Sequence, residues 1–419
     1  MREYLALLRR NADYRNLWLA RVISNFGDWF NLLASATLIT RLTGAGTAVS
    51  YLFLARLLPV FVMSPVAGVF ADRYERRAIM ILTDVLRAVT VLCFLFIRRP
   101  GDIWLLYVLT VVQFVLSSLY TPAHSALLSN IVKPEDLVTA NALDSFTWST
   151  MLAIGALLGG IAAAVFGVTT AFVIDAATFV ISAWFVSRIR ASGRSAPVEV
   201  QIGGWLEFVD GMRYLHGRPF ILGLALVKAG GALVWGAVNV MEIPLAQVTF
   251  PINGNGTLTL GLLYAMTGLG TGIGPLVVRR WLGDSRRGML RGIAGSFVTM
   301  SLGVAAVALA TTLGWVLTGS LLRSVGTGTL WVFSSAMLQR MVEDKFRGRV
   351  FAFEFAALTL TQSVATIWAG VALDQLALGV QGVILSAALL SVTVTAAWLW
   401  FHHWSAQRVA PAVSHQAGG

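Results

Sequence analysis

The amino-acid sequence predicts an all-α integral membrane fold, with twelve transmembrane helices in two pseudo-symmetric six-helix bundles around a central cavity. Three observations predict it. Of 419 residues, 57% are hydrophobic and 12% charged, for a mean hydropathy of +0.75, whereas soluble domains are roughly a quarter charged. The apolar residues fall into a dozen runs of about the twenty residues that cross a bilayer. Short motifs in the first half of the chain return in the second at a nearly constant offset.

The runs lie at 17–40, 47–71, 79–97, 103–124, 141–166, 169–188, 220–246, 258–280, 291–312, 314–337, 350–373 and 380–402. They are referred to below as spans one to twelve. Span one is full length, carries Asp28 and lacks a small-residue cleavage site, so it is expected to remain as a helix rather than leave as a signal peptide. The long polar interruption at 189–219 separates a bundle at 1–188 from a second at 220–402, and 403–419 forms a cytoplasmic tail. Within the interruption Trp205, Val209, Met212 and Leu215 fall at helical spacing, which predicts an amphipathic helix lying at the interface.

Lys and Arg set the orientation. Of 31 such residues, Arg41, Arg98 and Arg99 fall on the outer face and Arg56, Arg87, Lys228 and Arg323 within spans. All the rest lie on the side of the N-terminus. An even number of spans then makes both termini cytoplasmic, in a multi-pass protein of the cell inner membrane. The formal net charge of +11 is thereby topological, and nucleic acid is not an expected partner.

The repeat is visible where His124-Ser125-Ala126-Leu127-Leu128-Ser129-Asn130-Ile131-Val132 aligns with Ser334-Ser335-Ala336-Met337-Leu338-Gln339-Arg340-Met341-Val342, an offset of 210 (334 − 124). Gly68 and Gly274, each before a basic loop, differ by 206 (274 − 68). Duplicated units are a common plan in transporters, with the substrate site at their interface.

Enzyme chemistry finds little purchase. There is no phosphate-binding Gly-x-x-x-x-Gly-Lys-Ser/Thr loop and no Gly-x-Ser-x-Gly elbow. Cys93 is the only cysteine, which leaves no disulfide or Cys-based metal site. No catalytic residue, metal or cofactor is expected.

Polar stripes are the stronger lead. Ser24, Asp28, Asn31 and Ser35 share one face of span one, and Gln113, Ser117, Thr121 and His124 one face of span four. Span seven presents Lys228, Trp235, Asn239 and Glu242; span ten presents Arg323, Thr327, Trp331 and Ser334. Spans one, four, seven and ten hold the same place in each three-helix unit, so these stripes are expected to line one wet cavity.

A charge at mid-bilayer costs about 2.5–3.5 kcal/mol, so Asp28, Arg56, Lys228 and Arg323 are expected to face away from lipid. Asp28 lies about 16 Å into its span at 1.5 Å per residue, near the midplane, and is the first candidate for a protonatable coupling residue. A structural ion pair with a base such as Arg56 or Lys228 is the alternative. Glu242, two residues before Pro244, is a candidate for proton or substrate contact, or sits in water at the span end. Trp235, Trp331, Trp29 and Phe30 offer aromatic surface for a bulky apolar or cationic substrate.

Gly68-Val69-Phe70-Ala71-Asp72-Arg73-Tyr74-Glu75-Arg76-Arg77 resembles the Gly-x-x-x-Asp-Arg-x-Gly-Arg-Arg signature of the major facilitator superfamily, with Glu75 in place of the second glycine. Gly155-Ala156-Leu157-Leu158-Gly159-Gly160 is similar to the Gly-Pro-x-x-Gly-Gly motif of that superfamily's twelve-helix antiporters, with Ala156 in place of proline. Ser24 to Asp28, Pro122 to Leu143 and Arg347-Gly348-Arg349-Val350 resemble the drug:proton antiporter branch that includes macrolide and enterobactin exporters. By that resemblance Gly68, Asp72, Arg73, Arg76 and Arg77 form a cytoplasmic gate, Asp72 meeting the positive end of span eleven beside Arg347 and Arg349, and Gly155, Gly159 and Gly160 an antiporter motif.

The reading is a secondary transporter, a monomer, that exports a drug-like or amphipathic small molecule in exchange for protons by alternating access. Uptake or flipping of a lipid or metabolite by the same fold is the alternative. An intramembrane enzyme would need converging acid, nucleophile or metal groups, and a sensor would need a soluble output domain; neither is visible.

Overall fold

In the computed structural model the described residues are 2–133, 136–190, 212–252, 256–283 and 285–409, with the side chains at 2–4, 64–65, 68–69, 71–72, 138, 141–142, 145, 344–345, 348 and 404–409 left aside. They form helices and short turns, with no strand among them. Among the described residues ten helices are long and apolar enough to cross a membrane. Spans one (Ala12–Thr43) and ten (Leu313–Met341) are long enough but not among the ten. Counting them gives the twelve helices expected.

Most helices run past the predicted apolar bounds, because intrahelical hydrogen bonding does not stop at the bilayer surface. Span one begins at its N-cap Asn11, whose side chain accepts from Tyr14 N at 2.9 Å and donates to Ile131 O at 2.7 Å. It ends at Gly44, where φ is +63°, a left-handed cap that glycine adopts without strain. Span four continues to Ile131. Span five runs from Leu137 to Val165 through a π turn at Met151–Gly155. Span seven is interrupted at Leu226 and again by a π turn at Leu245–Thr249, immediately after Pro244, whose ring removes a backbone donor.

The chain packs as two compact units, 1–202 with 242–268 and 203–241 with 269–419. In the first unit span one packs on span six, two on four, and three on both four and six. In the second, span nine packs on ten and twelve, and Gly270 and Gly274 of span eight lie against Ser324 and Val325 of span ten. These are the same neighbours six helices later, so the duplication read from short motifs extends to the packing.

Close helix approach is bought with small residues, as expected where lipid is as apolar as the side chains. A β-carbon at Gly160 would sit 2.9 Å from Gly261 Cα, and one at Gly319 would sit 2.9 Å from Gly303 O. Large apolar side chains such as Phe96, Trp281 and Leu309 point outward instead. Of the predicted linker helix, Trp205 and Val209 lie outside the described residues. Met212 to His216 is helical, with Leu215 buried and Tyr214 stacked on Phe346 at 4.3 Å.

Candidate functional site: buried charges in each unit

In the first unit the polar face of span one turns towards span three. Arg87 Nη2 donates to Asp28 Oδ1 at 2.7 Å, and Arg87 Nη1 to Ser24 Oγ at 3.5 Å. The partner of Asp28 is thus Arg87, not the Arg56 or Lys228 considered from sequence. One turn earlier on span three Asp84 Oδ1 lies 3.7 Å from Arg87 Nη1, and Asp84 Oδ2 accepts from Ser182 Oγ of span six at 2.6 Å. The Phe179 ring lies under the guanidinium, 4.0 Å from its carbon, a contact that favours a cation. The side chains of Asp84 and Arg87 are 0% and 3% exposed, but that of Asp28 is 28% exposed.

Span six brings a third carboxylate, Asp175, fully buried beside Gly27 and within the electrostatic reach of Asp28, Arg87 and Arg56. Gly27 matters here because a β-carbon would collide with Thr178 Oγ1 and Asp175 Oδ1. Asn31 and Ser35 continue the buried face of span one, joined by a 3.4 Å hydrogen bond. Arg56 of span two lies over the Phe114 ring at 4.5 Å. On span four Gln113 is buried, Ser117 half-buried and Thr121 exposed, and His124 Nε2 lies 3.9 Å from Asp144 Oδ2. Glu242 is 1% exposed, so it does not sit in water at the span end.

In the second unit the stripes of spans seven and ten meet. Lys228 Nζ donates to Ser335 Oγ at 2.7 Å and to Glu354 Oε2 of span eleven at 3.0 Å, with the Trp331 ring 4.4 Å and the Phe351 ring 5.9 Å away. Trp235 and Trp331 are 6.5 Å apart. Arg323, 2% exposed, donates to Asn239 Oδ1 at 3.5 Å, and Thr327 Oγ1 donates to Arg323 O at 3.1 Å. Lys228 and Glu354 form a buried ion pair in which each charge compensates the other, the condition for keeping either away from water.

The gate residues have local partners. Arg76 Nη1 donates to Ala126 O near the end of span four at 3.0 Å, and Arg77 Nη2 to Ser187 O at the end of span six at 2.7 Å. Arg347 Nη2 donates to Gln339 O near the end of span ten at 2.8 Å, and Arg349 lies over Phe346. Cations suit helix C-termini, where carbonyls lack intrahelical partners. Arg73 is exposed, and the side chains of Gly68 and Asp72 lie outside those described. The glycines of the antiporter-like motif are packing positions: β-carbons at Gly155 and Gly159 would press on Trp29 and Leu33 of span one, and that of Gly160 on span eight.

Asp84, Ser182, Asp175 and Glu354 were not singled out as site residues by the stripe pattern. Asp84 and Arg87 stand three residues apart within an apolar span, a signal that was available. Glu354 stands 210 residues after Asp144 (354 − 144), within the repeat.

Membrane-crossing helices in two similarly packed sets, with charged side chains held inside the bundles, define a multi-pass helical transporter fold. The chain belongs to the Major Facilitator Superfamily, whose profile matches residues 17–353. It is 30% identical over 220 residues to the uncharacterised transporter YfiS of Bacillus subtilis, a match spanning 52% of each chain. BacE of Bacillus amyloliquefaciens, whose name assigns it bacilysin export, is 25% identical over 86% of this chain and 88% of its own. The enterobactin exporter EntS of Salmonella typhimurium is 26% identical over 71% of each. The nucleoside transporter NupG shares the fold with a TM-score of 0.70 at 14% identity, over 93% of this chain and 99% of its own. A bacterial homologue of the lysosomal transporter Spinster does so with a TM-score of 0.72 at 13% identity, over 93% and 96%.

Proposed function

We propose that this protein is a proton-coupled exporter that moves a drug-like or amphipathic small molecule out across the cell inner membrane. The observation that carries the coupling is the Asp28–Arg87 pair, in which a partly exposed carboxylate holds a buried guanidinium. A proton arriving at Asp28 cancels the charge that holds Arg87, and losing it restores the attraction. Such a group gives the bundle two charge states with different internal contacts, the requirement for biasing a two-state equilibrium.

Export rather than import is supported by the names of BacE and EntS. The chain acts as a monomer with both termini cytoplasmic. The halves 1–188 and 220–402, joined by 189–219, alternate access, and the loop from Gly68 to Arg77 serves as the cytoplasmic gate with Asp72 as its acidic member. Trp235, Trp331 and the Lys228–Glu354 pair supply aromatic and ionic contact for substrate in the second unit, and Arg323 and Asn239 hold the neighbouring turn.

A susceptibility and accumulation panel in an efflux-deficient host, with dyes, antibiotics and small peptides as probes, tests this. Expression should lower accumulation of at least one amphipathic compound and raise resistance to it, the behaviour of a multidrug resistance protein. Raised accumulation would instead mean uptake of a metabolite or lipid.

A further inference from the structure

Arg87 lies within ion-pair distance of two carboxylates and makes a close pair with one. Nη2 is 2.7 Å from Asp28 Oδ1, whereas Nη1 is 3.7 Å from Asp84 Oδ1, too far for a hydrogen bond. Asp84 Oδ1 and Arg87 Nε are both buried without a hydrogen-bond partner, an arrangement that costs free energy in a low-dielectric interior. Asp84 Oδ2 is fixed by Ser182, so its free oxygen stays aimed at Arg87. Phe179 holds the guanidinium from one face.

We infer that Asp84 is a second seat for Arg87, a positioning residue that receives the guanidinium when Asp28 takes up a proton. The inference rests on the reading of Asp28 as the coupling residue. A proton from water bonds to a carboxylate oxygen of Asp28 and neutralises it. The hydrogen bond from Arg87 Nη2 weakens, Nη1 closes on Asp84 Oδ1, and Arg87 keeps its charge and its proton throughout. Deprotonation of Asp28 to water reverses the step. Arg21 of span one, Arg56 of span two, Tyr120 of span four and Asp175 of span six surround the pair. Among the charged neighbours neither Arg21 nor Arg56 pairs with Asp84, and Asp175, on the helix that carries Phe179 and Ser182, makes no ion pair with Arg87, so the hand-over is left to Asp84.

The test is infrared difference spectroscopy of the full-length protein in lipid vesicles, titrated with acid and without added substrate. Acidification should produce a protonated-carboxyl band that is lost in Asp28→Asn. With the same midpoint, a carboxylate band should shift as its oxygen gains the guanidinium, and that shift should be lost in Asp84→Asn and regained in Asp84→Glu. Ser182→Ala, which frees Asp84 without removing it, should broaden the shifted band and gives a readout should Asp84→Asn fail to fold. An unmoved Asp84 band while Asp28 protonates would overturn the second seat and leave the coupling role intact. A carboxyl band lost in Asp84→Asn but kept in Asp28→Asn would overturn both.

Discussion

Arg87 of span three and Asp28 of span one form a 2.7 Å ion pair whose basic member is 3% exposed and whose acidic member is 28% exposed. The asymmetry assigns different work to the two residues. In the proposed coupling Asp28 is the member that takes up the proton, and Arg87 the member that links it to the carboxylates around it.

Removing the base strands those acids. Arg87→Met leaves Asp28 and Asp84 without their nearest cation, and breaking a buried pair costs about 3–5 kcal/mol. A marked fall in the thermal unfolding midpoint of purified protein is expected, and it should be largely recovered when Asp28→Asn and Asp84→Asn are added. An Arg87→Met variant as stable as the parent would show that the pair carries little.

The second unit offers an independent cycle. Lys228→Met and Glu354→Gln should each destabilise, while the double variant should cost less than the sum, because one partner no longer leaves the other buried and unpaired. Thermal unfolding of the four proteins gives the coupling, and strict additivity would refute it.

Glycines differ by what surrounds them. Gly160→Ala places a β-carbon 2.9 Å from backbone atoms Gly261 Cα and Thr257 O, which cannot retract as a side chain can, and overpacking of this kind costs about 1–3 kcal/mol. Gly295, in the interior of span nine, has nothing within 4 Å of an added β-carbon. Gly295→Ala should be neutral or slightly stabilising, by the higher helix propensity of alanine. Unfolding midpoints of the two variants should separate clearly.

Asn11 does two jobs at the start of span one, capping Tyr14 N and holding Ile131 O of span four. Asn11→Ala is expected to cost about 1 kcal/mol, read as faster hydrogen exchange in the first turn after residue 12, with Asn11→Asp recovering the cap but not the bond to span four.

Much of this was legible in the sequence. The helices follow from the length of each apolar run, and the duplication from two offsets. The stripes on spans seven and ten do meet, through Lys228 with Trp331 and Asn239 with Arg323. Partners proved harder than faces. Helical spacing says which residues share a side of one helix, but Asp28 found Arg87 because span three packs within reach of span one's polar face, and no spacing rule reports that. Glu354 was missed for the same reason, because its partner Lys228 lies on another helix. The boundaries were short because apolar length measures the bilayer, whereas caps such as Asn11 and Gly44 end the helix.

Proton coupling through Asp28 is tested most directly in inverted membrane vesicles carrying an inward-acid gradient, with a compound found positive in the accumulation panel. Wild-type vesicles should accumulate it, a protonophore should abolish accumulation, and Asp28→Asn should reduce it to the level of vesicles without the protein. Protonophore-resistant accumulation, or Asp28→Asn working at the wild-type rate, would contradict the account.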